Sequence, residues 1–192
     1  MKTLINDTDK IIKLHTPVTE DDVTSLKAGD IVLIDGTLFT GRDAAHKRLC
    51  EMIEKNQPLP FDLNDSVVYY VGPTPAKPGR AIGSCGPTSS YRMDPYAEPL
   101  LKMGLRVMIG KGPRSQKLKE LLKKYNAVYL SAIGGAAALI SETIKKSEII
   151  AFDDLGAEAI RKLEVKDFYA VVTYDTYGND LLSDGKKKYE KR

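Results

Sequence analysis

Four short apolar runs, each ending in a glycine-bearing turn, constrain this chain more than any other feature. They are Ile31–Ile34 before Asp35-Gly36, Val67–Val71 before Gly72, Leu105–Ile109 before Gly110, and Ala127–Ala132 before Gly134. Runs of four to six apolar residues rich in Val, Ile and Tyr read as buried strands. Helical patterns separate them, over Arg42–Lys55, Pro95–Met103 and Ser115–Tyr125. Strands alternating with helices predict a mixed α/β domain with about four helices. In such folds ligands gather where strands end, so the turns after the strands are the places to look for chemistry.

Other segments complete the expectation. Lys10–His15 alternates as a strand does, and Thr19-Glu-Asp-Asp has the form of a helix cap with acids in the first turn. Asp35-Gly36 reads as a tight turn that ends the second strand. Ser147–Phe152, Leu163–Val165 and Phe168–Tyr174 are predicted strands, with a short helix over Ala157–Lys162. Gly134–Ala138 is expected to be a small-residue turn, and Asn179 and Asp180 fall in another near Gly178.

Charge narrows the function classes. The formal charge is +3, but Lys186–Arg192 holds five basic residues and one acidic one, leaving −1 on the rest. A near-neutral body lacks the basic face that nucleic-acid binding requires. The stretch 186–192 is read as a disordered basic tail and residues 1–185 as one domain. No apolar run approaches the roughly 20 residues of a membrane span, and Met1–Lys10 carries no apolar signal core. Two cysteines, Cys50 and Cys85, stand 35 positions apart without a CxxC pairing, which fits a reducing cytoplasm.

The polar turns hold residues suited to anions. Gly83–Asp94 reads Gly-Ser-Cys-Gly-Pro-Thr-Ser-Ser-Tyr-Arg-Met-Asp and leads from a strand into a helix. Its hydroxyls, Thr88, Ser89 and Ser90, and its arginine, Arg92, suit carboxylate or phosphate capture, as a capped hydrophilic loop would also explain. Arg42 stands at a helix start, where a cation is mildly misplaced unless an anion accompanies it. His46 follows one turn later on the same face. Lys111 lies between Gly110 and Gly112, but the run lacks the GxxxxGK[ST] spacing of a phosphate loop, and Pro113 takes the Ser/Thr place.

Taken together, Gly36-Thr37-Leu38, Gly41-Arg42-Asp43-Ala44-Ala45-His46, Gly86-Pro87-Thr88, Arg92-Met93-Asp94 and Gly110-Lys111-Gly112 resemble one family. It is that of the β subunit, or C-terminal domain, of class I iron–sulfur fumarases and L-tartrate dehydratases. The likeness runs from about Gly29 to Asp180. It implies a swivelling β/β/α three-layer single domain with a mixed sheet. It also implies reversible hydration of fumarate to malate, with L-tartrate as the alternative substrate. The resemblance makes Thr88 the candidate base at the substrate's C3 proton and places Lys111 beside it as a catalytic positive contact. Arg42 and Arg92 become carboxylate ligands, with His46 helping to orient the site. The [4Fe–4S] cluster is expected on a partner α subunit in a heterotetramer, with a homodimer as the alternative for this chain when isolated. Cluster binding with one open iron requires three thiolates, and this chain has two cysteines. No cofactor or metal is therefore expected on this chain, and Cys85 is expected to be a small buried residue. Tyr91 departs from the small residues expected before the arginine and puts the choice of dicarboxylate in doubt. A non-catalytic anion-binding module remains the alternative from a different class.

Overall fold

The five parallel strands of the fold are ordered in space as they are in sequence. A computed structural model describes residues 11–190; the Met1–Lys10 reading lies outside them. The elements run β1 (Ile11–His15), α1 (Glu20–Ser25), β2 (Ile31–Thr40), α2 (Asp43–Glu54), β3 (Val67–Tyr69), α3 (Asp94–Lys102), β4 (Val107–Gly110), α4 (Gln116–Lys124), β5 (Val128–Ser131), α5 (Ala137–Thr143), β6 (Ile144–Ala151), β7 (Ile160–Tyr174) and α6 (Leu181–Tyr189). Neighbours β1 to β5 pair parallel. Antiparallel β7 pairs with β2 along one edge and with β6 and β5 along the other. Strands β2, β3, β4, β5 and β7 therefore form a closed ring of pairings, with β1 and β6 flanking it.

Closure explains the alternation within the strands. Val67, Tyr69 and Val71 belong to one core with Val32, Ile34, Leu130 and Phe168, while Val68 and Tyr70 belong to a second with residues of α2, α3 and α4. A strand's side chains alternate between faces, so β3, β4 and β5 each feed both cores. The curled sheet supplies two β layers and the helices a third, the β/β/α order that the resemblance implied. Leu118, Leu121 and Leu122 are the buried stripe of α4, each stabilising the fold by about 1.5–3 kcal/mol through burial.

Several local expectations change. Asp35-Gly36 does not end β2; the strand passes through it at a bulge with Gly36 at φ +110°. Bulges and tight turns draw on the same residues, because both need left-handed backbone. A Cβ at Gly36 would lie 2.3 Å from Thr16 Oγ1. The helix expected over Ala157–Lys162 is absent: Asp153–Glu158 is a 3₁₀ segment and β7 begins at Ile160. Leu163–Val165 and Phe168–Tyr174 are one strand, with Asp167 at φ 52° between them. Ala137 and Ala138 open α5 instead of closing a turn. Asp180 caps α6, accepting from the Ser183 N–H at 3.0 Å. The basic stretch that was expected to be disordered continues α6 as helix to Tyr189. Six α-helices are described where four were expected. Among the described residues no helix is long and apolar enough to cross a membrane.

Candidate functional site

Parallel strands deliver their C-terminal ends to one edge, and the polar turns singled out in the sequence all leave from that edge. Thr40 leads into Arg42, Tyr69 into the segment that returns as Thr88, Gly110 into Lys111, and Ser131 into Gly134. Backbone contacts join these exits. Thr88 donates its N–H to the Tyr70 carbonyl at 2.7 Å, and the Thr88 carbonyl accepts from the Lys111 N–H at 3.2 Å. Ser89 and Lys111 form a parallel bridge. Main-chain bonds thus hold Thr88 and Lys111 side by side. The Thr88 hydroxyl makes no hydrogen bond within the described residues.

Ser90 stitches the same two loops from below. It is fully buried, and its hydroxyl accepts from the Lys111 N–H at 3.0 Å while donating to the Thr88 carbonyl at 3.2 Å. The Tyr129 hydroxyl donates to Ser90 Oγ at 3.0 Å. The lysine stem passes close to Gly134, where an added Cβ would stand 3.8 Å from Lys111 Cδ. Gly86 lies as near to Ala137, so the small residues of the α5 approach line the same rim.

Both arginines reach this edge with protein carboxylates already attached. Arg92 grips Asp43 with two parallel bonds, Nε to Oδ1 at 2.9 Å and Nη2 to Oδ2 at 2.8 Å. Arg42 lies 3.7 Å from Glu158 and 3.8 Å from Asp43. Its side chain crosses Gly72 so closely that a Cβ there would stand 2.7 Å from Nη1. Glu158 also accepts the Ala44 N–H at 2.9 Å and so occupies the N-terminus of α2. A free helix end is therefore not part of this site. Three cations against two carboxylates leave one positive charge, and the half-exposed Arg92 keeps Nη1 free of Asp43.

His46 lies beneath the backbone of Arg42. It is buried, 1% exposed, and Nδ1 lies 2.9 Å from the Arg42 carbonyl, so Nδ1 carries the proton. Its ring meets Tyr70 edge-on at 5.1 Å. Burial pulls its pKa down to about 4, so it is a neutral support for the backbone of Arg42 and not a cation facing solvent. A histidine that titrates near 6.5 when unfolded binds its proton there first, so this one withdraws stability as pH falls from about 6.5 towards 4. Between pH 7 and 5 the wild type is expected to lose about 2 kcal/mol more than His46→Gln. Urea denaturation at both pH values measures it; parallel losses in the two proteins would refute it.

The cysteines do not suit a cluster. Cys85 is buried, with its thiol pushed up to about 12 by burial, and half-buried Cys50 sits on α2 at about 11 for the same reason. Metal ligation needs thiolates, and among the described residues no three His, Cys, Asp or Glu side chains are grouped to hold a metal ion. Elsewhere, a cleft of about 440 Å³ lined by Thr16, Asp62, Asp65 and Lys162 has more acid than base and does not suit a dianion.

Of the residues expected at a site, Thr88, Lys111, Arg42 and Arg92 lie at the strand exits on one edge. The carboxylates that hold the arginines gave no such signal. Asp43 stands in the Gly41–His46 motif, which does not show that it holds Arg92. Glu158 gave no signal, since the helix expected around it is absent.

Comparison with known proteins shows the family of the chain. Residues 2–185 match the family model described as Fumarase C-terminus. The chain is 40% identical over 181 residues to the "Putative L(+)-tartrate dehydratase subunit beta" of Methanocaldococcus jannaschii, covering 91% of this chain and 93% of that protein. It is 40% identical over 183 residues to the "Putative fumarate hydratase class I" of Geobacillus stearothermophilus, covering 93% of this chain and 35% of that one. A match of 38% over 175 residues reaches "Fumarate hydratase class I, aerobic" of Salmonella typhimurium, covering 89% of this chain. The chain spans about a third of the fumarate hydratases it matches and nearly all of the tartrate dehydratase subunit. By the length of the family match and by these identities, this chain belongs to the fumarase C-terminus family.

Proposed function

We propose that the chain is the β half of an iron–sulfur hydro-lyase that reversibly hydrates fumarate to malate, completed by a cluster-bearing α half. The observation that carries this is the convergence of Thr88, Lys111, Arg42 and Arg92 at the exits of the parallel strands. A dicarboxylate needs two cationic groups spaced to receive its ends, and guanidinium groups receive carboxylates directionally. Arg92 would offer its free Nη1 and Arg42 its outer edge, with Asp43 and Glu158 fixing their directions. Lys111 would add positive charge next to the reacting carbons.

In the dehydration direction Thr88 Oγ1 would take the proton from C3 as the C2 hydroxyl leaves. A threonine hydroxyl is a weak base, so it must pass its own proton to an acidic group of the α half. The cluster would serve as Lewis acid on the leaving hydroxyl and would come from the partner, because the two protonated thiols of this chain do not fit it.

L-tartrate is the second reading, favoured by the relative of matching length that is named a tartrate dehydratase subunit β. The complex, assembled anaerobically, is expected to consume fumarate at least about tenfold faster than L-tartrate, a preference within what pocket contacts supply. The opposite ratio would select tartrate. An assembled, cluster-loaded complex that turns over neither would remove the hydro-lyase reading and leave an anion-binding module.

A further inference from the structure

Asp94 contacts no candidate substrate ligand, yet it joins the two loops that carry them. It opens α3, two residues after Arg92. Its Oδ1 accepts from Arg114 Nε at 2.5 Å, and its Oδ2 accepts the Ser115 backbone N–H at 2.7 Å. Arg114 and Ser115 end the loop that Lys111 begins. The Arg114 side chain has no exposed surface, and that of Asp94 is 13% exposed. The guanidinium lies over the rings of Tyr129 and Tyr70, at 4.8 and 5.4 Å. The Arg114 N–H donates to the Tyr174 hydroxyl at 3.2 Å.

An exposed ion pair can be remade in many geometries. Here the carboxylate also holds a backbone N–H, and Arg114 Nη1 and Nη2 have no hydrogen-bond partner among the described residues. Asp94 is thus the anion that offsets the buried guanidinium, and any other arrangement of the pair leaves that charge unpaired away from water. Arg92 and Lys111 therefore inherit a fixed separation from groups that lie beneath them. We propose that Asp94 and Arg114 are a positioning pair that sets the distance between Arg92 and Lys111, and with it the seating of the dicarboxylate. This rests on the reading that those two cations bind substrate. A merely structural pair would lower stability without changing substrate affinity.

The test compares Asp94→Asn with Asp35→Asn in the complex with the cluster-bearing half. Asp35 takes Lys166 and the Asp167 N–H upstream of the strand exits, so its variant loses stability without touching the site. Asp94→Asn is expected to raise KM about tenfold or more at unchanged cluster content. Asp35→Asn is expected to lower Tm while KM stays within about twofold. Should Arg92→Ala and Lys111→Ala each raise KM while Asp94→Asn does not, the positioning role is overturned and the substrate reading stands. Should none of the three move KM, both fall.

If Asp94→Asn fails to assemble, Ser115→Pro against Ser115→Ala replaces it. Both lose the hydroxyl that caps the Leu118 N–H, but only proline loses the N–H held by Asp94, and φ −66° suits proline. A KM rise in the proline variant alone is expected; equal KM values overturn the inference.

Discussion

Thr88→Ala is expected to lower kcat of the assembled complex about 10²- to 10⁴-fold, the range that one positioned proton-transfer group supplies. KM is expected to change little, because the carboxylate ligands lie on other loops. The prediction separates chemistry from folding because of how Thr88 is held. All its described bonds run through its main chain, to Tyr70, Lys111 and Ser90. Alanine keeps each of them, so stability is expected to move by no more than about 1 kcal/mol. Thr88→Ser retains a hydroxyl on the same backbone and is expected to recover most of the rate. Wild-type kcat in Thr88→Ala would remove the residue from the chemistry while leaving the arginines and Lys111 as substrate ligands. A loss shared equally by Ala and Ser would point to the threonine methyl and to packing, not to proton transfer.

What the sequence disclosed and what it hid follow from the range of the interactions. The Thr19 cap is a local device, and its reciprocal bonds with Asp22 form as the pattern predicts. Val67–Val71 is legible because alternation is a property of neighbouring residues. Closure of the sheet is not local: Ile31 pairs with Val171 across most of the chain, and no short window records it. The same holds at the site. Glycine and proline marked the turns that bear Thr88 and Lys111, but Arg92 meets Asp43 and Arg42 meets Glu158 over long sequence separations. His46 follows Arg42 at helical spacing, but Arg42 is the extended N-cap of α2, and spacing alone could not tell that the His46 ring turns towards Tyr70 and away from water.

Gly110→Ala is expected to be a damaging single-methyl change, because the site and the core share the space it would fill. A Cβ at position 110 would stand 1.9 Å from Ser90 Oγ, 3.1 Å from Tyr70 Cδ2 and 3.2 Å from Ser90 Cβ. These neighbours are buried and cannot swing into solvent. Overpacking of this kind costs about 1–3 kcal/mol. Moving the Ser90 hydroxyl would also break its bonds with the Lys111 N–H and the Tyr129 hydroxyl, at about 0.5–1.5 kcal/mol because these donors keep the Thr88 and Gly112 carbonyls as partners. Loss of about 2–4 kcal/mol is a large fraction of a domain's stability, and urea denaturation of the purified chain reads it directly. Gly185→Ala is the control: nothing lies near its added methyl on α6, and a helical glycine gains from the change. The double variant Gly110→Ala/Ser90→Gly relieves the collision without restoring the hydrogen bonds, so it is expected to be more stable than Gly110→Ala alone and less stable than wild type. Equal stability of the single and double variants would mean that the strand end shifts to accept the methyl. In that case the contact between Gly110 and Ser90 would not be what fixes Lys111 beside Thr88.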